Sequence, residues 1–187
     1  MPVFIILAAV VVLFIIGVAV SYNGLVTLRN RVENQAAQVD VHLKRRAELI
    51  PNLIQTVKGY AKFERSTLEE ITRLRSKVLN SGSTSEAFSA DAKLGKVCSQ
   101  VLALGESYPK LKANTNFIQL QEELSNTENK IAFARQFYND TVTKYNTAIQ
   151  MIPRSIIAGM FGLRKIALLE ASGVERKSIK IDSDMFN

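Results

Sequence analysis

The stretch "LKRRAELIPNL" (residues 43–53) decides how the first half of the chain folds. Three consecutive cations, Lys44, Arg45 and Arg46, stand shortly before Pro51 inside a long run with helical periodicity. Proline lacks a backbone N–H and clashes with the carbonyl four residues earlier, which costs about 3 kcal/mol inside a helix. A helix must therefore either bend at this point or end there.

Two properties of the surrounding sequence favour different answers. Apolar positions keep their helical phase across Pro51, and no Gly, Asn, Asp or Ser lies between Lys44 and Ile50 to build a turn. Division at Pro51, however, produces segments of about 29, 28, 22 and 33 residues, lengths that suit the four helices of a bundle. One helix over residues 22–79 would be about 90 Å long. We therefore predict a sharp bend at Pro51 between two bundle helices.

Apolar or small residues recur at helical spacing in three runs beyond the first twenty residues. The first run spans residues 25–78 and is followed by "NSGSTS", and the second spans residues 87–108 and stops before Pro109. The third run takes ten steps over 35 residues, a mean step of 3.5 that is typical of coiled coils. Its positions are Phe117, Leu120, Leu124, Thr127, Ile131, Ala134, Tyr138, Val142, Tyr145, Ile149 and Ile152.

Amphipathic helices of this kind are stable mainly through packing on each other. The predicted fold is all-α: residues 22–152 form an antiparallel, up-and-down four-helix bundle with long, coiled-coil-like helices. Within the tail, residues 171–187, only "VERKSIKIDSDMFN" (residues 174–187) carries a pattern that hints at extended structure.

The opening residues, "MPVFIILAAVVVLFIIGVAV", have no charged side chain between Pro2 and Val20. Nineteen residues of helix measure about 29 Å, the thickness of the hydrocarbon core of a bilayer. A cleaved signal peptide is the alternative, but no basic region precedes the apolar run. We predict that residues 1–21 are a retained transmembrane helix.

The cations that flank this helix predict its orientation. None precedes it, whereas Arg29 and Arg31 follow closely and the cluster at residues 44–46 comes soon after. By the positive-inside rule, the N-terminus lies outside and the bundle lies in the cytoplasm, at the bacterial inner membrane. The opposite orientation, with the bundle on the outer side, is the alternative. A net charge of +7 suits the anionic lipids of a cytoplasmic leaflet.

Composition offers little material for catalysis. The 187 residues include one histidine, His42, and one cysteine, and they lack the usual metal, acyl-transfer and phosphate-loop motifs. Cys98 lies on an apolar helix face, where a lone thiol is expected to be a small core residue. The cations are spread along every helix and are not grouped with aromatic residues, which argues against nucleic acid. We predict no catalytic residue, no cofactor and no metal, and membrane lipid as a partner.

Two groups of residues are candidate contact sites. Lys44, Arg45 and Arg46 would stand about 30 Å above the membrane, at the far end of the bundle, and would contact a partner or solvent. The short apolar segment 153–170 begins within "IPRSIIAGMFGLRK", whose apolar face is flanked by cations. This segment either closes the bundle or lies on the membrane or a neighbouring subunit. The candidate contacts on this face are Ile156, Ile157, Met160, Phe161 and Leu163.

Three longer stretches carry a resemblance to a known family. They are "YNGLVTLRNRVENQAAQVDVHLKRRAELIPNLIQTVKGYAKFERSTLEEI", "YPKLKANTNFIQLQEELSNTENKIAFARQFYNDTVTKYN" and "IPRSIIAGMFGL". In this order they resemble the LemA family of bacterial membrane proteins. The resemblance implies one N-terminal membrane helix, a soluble four-helix bundle and no established enzymatic activity. One departure is Ala36, where the family usually has a large aromatic residue.

These observations predict a non-enzymatic, membrane-anchored helical scaffold or adaptor that self-associates. Self-association is expected from the 3.5-residue periodicity of the third run and from Ala8, Ala9 and Gly17, which allow close packing of membrane helices. The alternative is an accessory subunit of a membrane enzyme, such as a membrane protease, with a second membrane protein as its partner.

Overall fold

The computed structural model describes residues 1–60 and 65–169, and all the regular structure in those residues is helical. The predicted all-α class is therefore confirmed, while the predicted tail, residues 171–187, lies outside the described residues. The helices are α1 (Pro2–Lys58), α2 (Arg65–Leu79), α3 (Thr84–Ala103), a 3-10 turn (Leu104–Glu106), α4 (Pro109–Lys112), α5 (Thr115–Ala148) and α6 (Arg154–Met160).

Helix α1 has 57 residues and contains Pro51 in its interior. The prediction that Pro51 separates two helices is wrong, because the chain turns only after Lys58. The apolar positions keep the same helical phase before and after the proline, and the structure buries the same face of α1 on both sides of it. The buried residues of this part of α1 are Leu43, Ala47, Ile50, Leu53 and Val57.

A side chain of α2 compensates the backbone hydrogen bond that Pro51 cannot make. The carbonyl of Ala47 would normally accept a hydrogen bond from the N–H of residue 51, and proline has none. Arg75 Nε donates to this carbonyl oxygen instead, at 3.0 Å. Because the buried acceptor keeps a partner, the helix continues through the proline without an unsatisfied carbonyl.

Arg75→Met should lower the free energy of unfolding by about 1–2 kcal/mol, since it leaves the Ala47 carbonyl without a donor. In a Pro51→Ala background the same change should cost clearly less, because alanine at position 51 restores the main-chain donor. Denaturant unfolding of the four detergent-solubilised variants measures the difference. Equal costs in both backgrounds would mean that the guanidinium group does not compensate for the proline.

The remaining long helices run alternately back and forth along α1. Helix α2 returns from the Lys58 end, and α3 begins where Thr84 Oγ1 donates to Asp40 Oδ2 at 3.0 Å. Helix α3 then runs in the direction of α1, and α5 comes back antiparallel to it. The N-terminal end of α5 lies beside the end of α1, where Asn114 Nδ2 donates to Tyr60 Oη at 3.0 Å. Asn114 also caps α5 by accepting from the Phe117 N–H, as its position before the third run indicates.

The two ends of this helical body differ in thickness. Helices α2 and α3 reach down along α1 only to Asp40, about 27 Å beyond Tyr22. Below that level α1 packs with α5 and α6, whereas above it α1 packs with α2, α3 and α5. Helix α2 packs on α3, but α3 and α5 do not pack along each other. A groove is left between them.

Candidate functional site

The first twenty residues of α1 are apolar and exposed. Their most apolar 18-residue window has a mean hydropathy of 3.4 and none of it is buried within the protein. By length and composition this part of α1 can cross a membrane, and a surface this apolar is unfavourable in water.

Helix α6 lies where this apolar part of α1 ends. The ring of Phe161, which follows α6, packs against Tyr22 with 4.3 Å between ring centroids. At the other end of α6, Arg154 Nη2 lies 3.8 Å from the position that a Cβ on Gly24 would occupy. The segment that was predicted either to close the bundle or to lie on the membrane or a neighbouring subunit is therefore packed against the first turns of α1 after the apolar part.

The five candidate contacts of this segment divide into two groups. Ile156, Met160 and Phe161 are exposed by 63%, 74% and 51%. Ile157 is buried and belongs to the core, and Leu163 is half-buried against it. Ile157 is therefore not available as a membrane or subunit contact, because α6 uses one face to close the helical body and leaves the other face open.

The structure separates the three cations of the opening stretch. Lys44 is exposed, and Arg45 forms a surface ion pair with Glu123 at 3.2 Å. Arg46 points inward, is 7% exposed and offers no surface to a partner. The cluster also does not lie at the far end, because α1 continues to Lys58, about 18 Å beyond Arg46. As partner contacts, Lys44 and Arg45 stay a prediction.

Arg46 connects three helices. Its Nη1 donates to Asp91 Oδ2 of α3 at 2.7 Å, and its Nη2 pairs with Glu128 of α5. Asp91 is 2% exposed, and burial raises the pKa of its carboxyl to about 6, against the opposing effect of the Arg46 cation and its hydrogen bond. A Cβ on Gly95 would lie 2.6 Å from Arg46 Nη2, so glycine leaves room for the guanidinium group.

Sequence reasoning did not find Asp91 and Gly95, although a signal was present. Both occur on the buried face of α3, whose buried positions are Ala87, Ala90, Asp91, Leu94, Gly95, Cys98 and Val101. A carboxylate at a core position of an amphipathic helix requires a buried cation or proton. In α5, Glu128 of the polar stretch "SNTENK" (residues 125–130) takes part in this interhelical contact through Arg46.

The groove between α3 and α5 has a volume of about 1090 Å³ and is open to solvent. Arg46, Asp91 and Cys98 are among the residues that line it. Cys98 is 3% exposed, which confirms its prediction as a core residue, and burial raises its thiol pKa to about 11. The thiol is therefore protonated at neutral pH. Within residues 1–60 and 65–169, no group of three His, Cys, Asp or Glu side chains is placed to hold a metal ion.

The LemA family model matches residues 35–182. The chain belongs to the LemA family. Protein LemA of Metamycoplasma hominis is 25% identical over 177 residues, covering 90% of this chain and 81% of that protein. Magnetosome protein MamQ of Magnetospirillum gryphiswaldense is 24% identical over 83% of this chain. Magnetosome protein MamQ 2 of Paramagnetospirillum magneticum is 22% identical over the same share. The chain spans 66% of the length of each of these two magnetosome proteins.

Family membership and the apolar start of α1 together describe this LemA-family protein as a membrane-associated helical protein. The match begins at residue 35 and so covers the helical body, including Arg46, Asp91 and Glu128, rather than the apolar part of α1. None of the relatives' names refers to a reaction.

Proposed function

We propose that this LemA-family protein is a non-enzymatic, membrane-anchored scaffold that self-associates, with α1, α2, α3 and α5 as an antiparallel bundle. One observation carries the proposal: α1 is a single helix from the apolar residues that can cross a bilayer to the far end of the helical body. The other long helices, α2, α3 and α5, all pack on this one element. Such a protein holds a helical surface at a set distance from the membrane.

Helix α6 supplies a second membrane contact in this proposal. Ile156, Met160 and Phe161 are exposed at the level where α1 leaves the bilayer, and Arg154, Arg164 and Lys165 flank them. An apolar face with cations at its ends binds a lipid interface that carries anionic headgroups. The cations after the apolar part of α1 support a cytoplasmic location of the bundle.

Of the two features from which self-association was expected, only the small residues of the membrane helix are left for a second copy. The third run packs inside its own chain: Leu124, Ile131 and Val142 of α5 belong to the core that α5 forms with α1. The surfaces left for a second copy are the small residues of the membrane helix and the exposed pair Phe133 and Phe137 on α5. These two side chains are one turn apart and are 62% and 60% exposed.

In proteoliposomes, a fluorophore on Met160→Cys should be quenched by brominated lipids, since residue 160 would lie among the headgroups. The same fluorophore on Phe137→Cys should not be quenched, because residue 137 lies more than two helical turns from the end of α5 that is nearest to α6 and the membrane. Both variants carry Cys98→Ala so that only one site is labelled. Met160 and Phe137 are similarly exposed, which makes them matched positions. Equal quenching at both positions, or none at either, would contradict the membrane contact of α6.

Crosslinking in native membranes, followed by sizing in mild detergent, tests the assembly. Particles that contain only copies of this chain support the scaffold. A monomer under both conditions removes self-association, and a stoichiometric second protein favours the accessory subunit of a membrane enzyme.

A further inference from the structure

Two asparagines of α5 hold the last described residues of the chain in an extended conformation. Asn146 Nδ2 donates to the Ile166 carbonyl at 2.8 Å, and Asn146 Oδ1 accepts from the Ile166 N–H at 2.9 Å. Asn139 makes the same two bonds with Leu169, at 3.0 and 2.9 Å. Each side-chain amide thus forms hydrogen bonds with both the main-chain N–H and the carbonyl of one residue, as a neighbouring strand would.

The spacing of these bonds shows why a peptide fits here. Asn139 and Asn146 are seven residues apart on a helix, a rise of about 10.5 Å. Ile166 and Leu169 are three residues apart, about 10 Å in extended chain. The two repeats agree, so an extended chain runs antiparallel to α5 with its main chain in register with the helix face. Tyr138 adds a further bond, from its hydroxyl to the Ala167 carbonyl at 3.2 Å.

This extended chain leads into the α3–α5 groove. Leu168 and Leu169 already line it, and the α5 positions ahead, Ala132, Ser125 and Gln121, continue the same helix face. Arg46 and Asp91 close the floor of the groove, because both side chains are buried and are paired with each other at 2.7 Å.

We propose that the α3–α5 groove is a peptide-binding site and that its occupant is this chain's own continuation, residues 170–177. From Asn139 to Gln121 the helix face measures about 27 Å, which about eight extended residues cover. No turn would be needed for the chain to enter the groove, because Leu169 is bound in the required direction. This inference does not depend on the proposed membrane scaffold.

The side chains of this segment are compatible with the groove. Lys93 and Lys96 of α3 line the wall of the groove that faces α5 and are exposed. The segment "EASGVERK" has no net charge, because it contains Glu170 and Glu175 and ends in Arg176 and Lys177. Charge contributes to the match only through the two carboxylates, which can pair with the two lysines.

A photo-crosslinking residue placed at Val174 in the full chain tests the proposal in reconstituted membranes. The expected product joins residue 174 to α3 or to residues 121–132 of α5, as identified by mass spectrometry. A mixture of isotope-labelled and unlabelled protein distinguishes a crosslink within one chain from a crosslink between two. Crosslinks within one chain to either groove wall support the proposal. Crosslinks only between chains would assign the groove to a second copy, and crosslinks only to lipid or to other helices would leave it without this occupant. Each of these results overturns the proposal, as does no crosslink at all.

Removal of the two asparagines provides a second measurement. Asn139→Ala with Asn146→Ala should reduce the crosslink yield about tenfold, because the chain is no longer held at the entrance. The matched control, Asn30→Ala with Asn126→Ala, changes two exposed asparagines and should leave the yield unchanged. Thermal melts of both double variants show whether the helical body is intact. An unchanged yield in the first variant would contradict the role of the asparagines in directing the chain.

Discussion

Arg46→Met should lower the free energy of unfolding by about 3–5 kcal/mol. The substitution removes the cation that pairs with Asp91 and Glu128, and methionine keeps most of the apolar volume of the side chain. Glu128 is half exposed and can turn to solvent, whereas Asp91 is left as a buried charge without a partner. Denaturant unfolding of the detergent-solubilised full chain measures the loss.

The loss should grow with pH. The pKa of Asp91 in the folded protein, about 6, lies above its ordinary value of 3.8, so the folded state binds this proton more tightly than the unfolded state does. The stabilisation from this proton is complete below about pH 4 and disappears as the pH rises through the folded pKa. Without Arg46 the pKa rises further, since the cation lowers it. Protonation of Asp91 therefore relieves the buried charge at pH 5 at little cost, whereas at pH 8 it costs more free energy, so the variant should lose most at pH 8.

The neighbouring residue provides the control. Arg45 pairs with Glu123 at the surface, where both side chains are at least half exposed, so Arg45→Met should change stability by no more than about 0.5 kcal/mol. A second variant, Arg46→Met with Asp91→Leu, removes both buried charges and should recover most of the loss. Equal effects of Arg45→Met and Arg46→Met would show that the buried pair does not carry the stability assigned to it.

Leu53→Asp should cost more than about 5 kcal/mol, comparable with the whole stability of many domains. Leu53 is fully buried two residues after Pro51, on the face that α1 keeps through the proline. The substitution removes an apolar side chain from the core and places an unpaired charge there. We expect the cooperative thermal transition to be lost, as measured by circular dichroism.

Val41→Asp is the matched control, since it introduces the same charge into the same helix at a side chain that is 57% exposed. It should change stability by about 0.5 kcal/mol or less. A small effect of Leu53→Asp would mean that the last turns of α1 do not pack in the core.

Helical periodicity predicted most of the fold, because burial of an apolar face is a local property of the sequence. The third run illustrates this: Phe117, Leu124, Ile131, Val142 and Tyr145 are all buried. Its last member, Ile152, lies beyond α5 and is 85% exposed. The periodic pattern continued for one step after the helix had ended.

Pro51 shows what periodicity cannot predict. The intrinsic cost of proline in a helix argued for a break, and the compensating donor comes from Arg75, 24 residues later in another helix. The same limit applies to the opening cations. Helical phase alone distinguishes Arg46, which lies three residues from Leu43 on the buried face, from Lys44 and Arg45. The partners that make burial of Arg46 acceptable are in α3 and α5.

The candidate sites also divide into features that the local sequence predicts and features that depend on distant parts of the chain. The apolar face of α6 was predicted from composition, except that Ile157 packs inward. The α3–α5 groove was not predicted, because it arises where two distant helices fail to pack on each other. The asparagines that lead into it, Asn139 and Asn146, look like ordinary polar residues of an exposed helix face until the chain from residue 166 onward is placed beside them.

With the apolar part of α1 in the bilayer, as we propose, the continuity of this helix makes the protein a lever that pivots in the membrane. From Tyr22 to Lys58 the helix extends about 55 Å past the apolar part, with no turn at which an angular change could be absorbed. A tilt of about 20°, typical of membrane helices, displaces its tip sideways by about 19 Å. Since tilt responds to the thickness of the hydrocarbon layer, a difference of a few ångströms between membranes becomes a lateral shift several times larger at the Lys58 end.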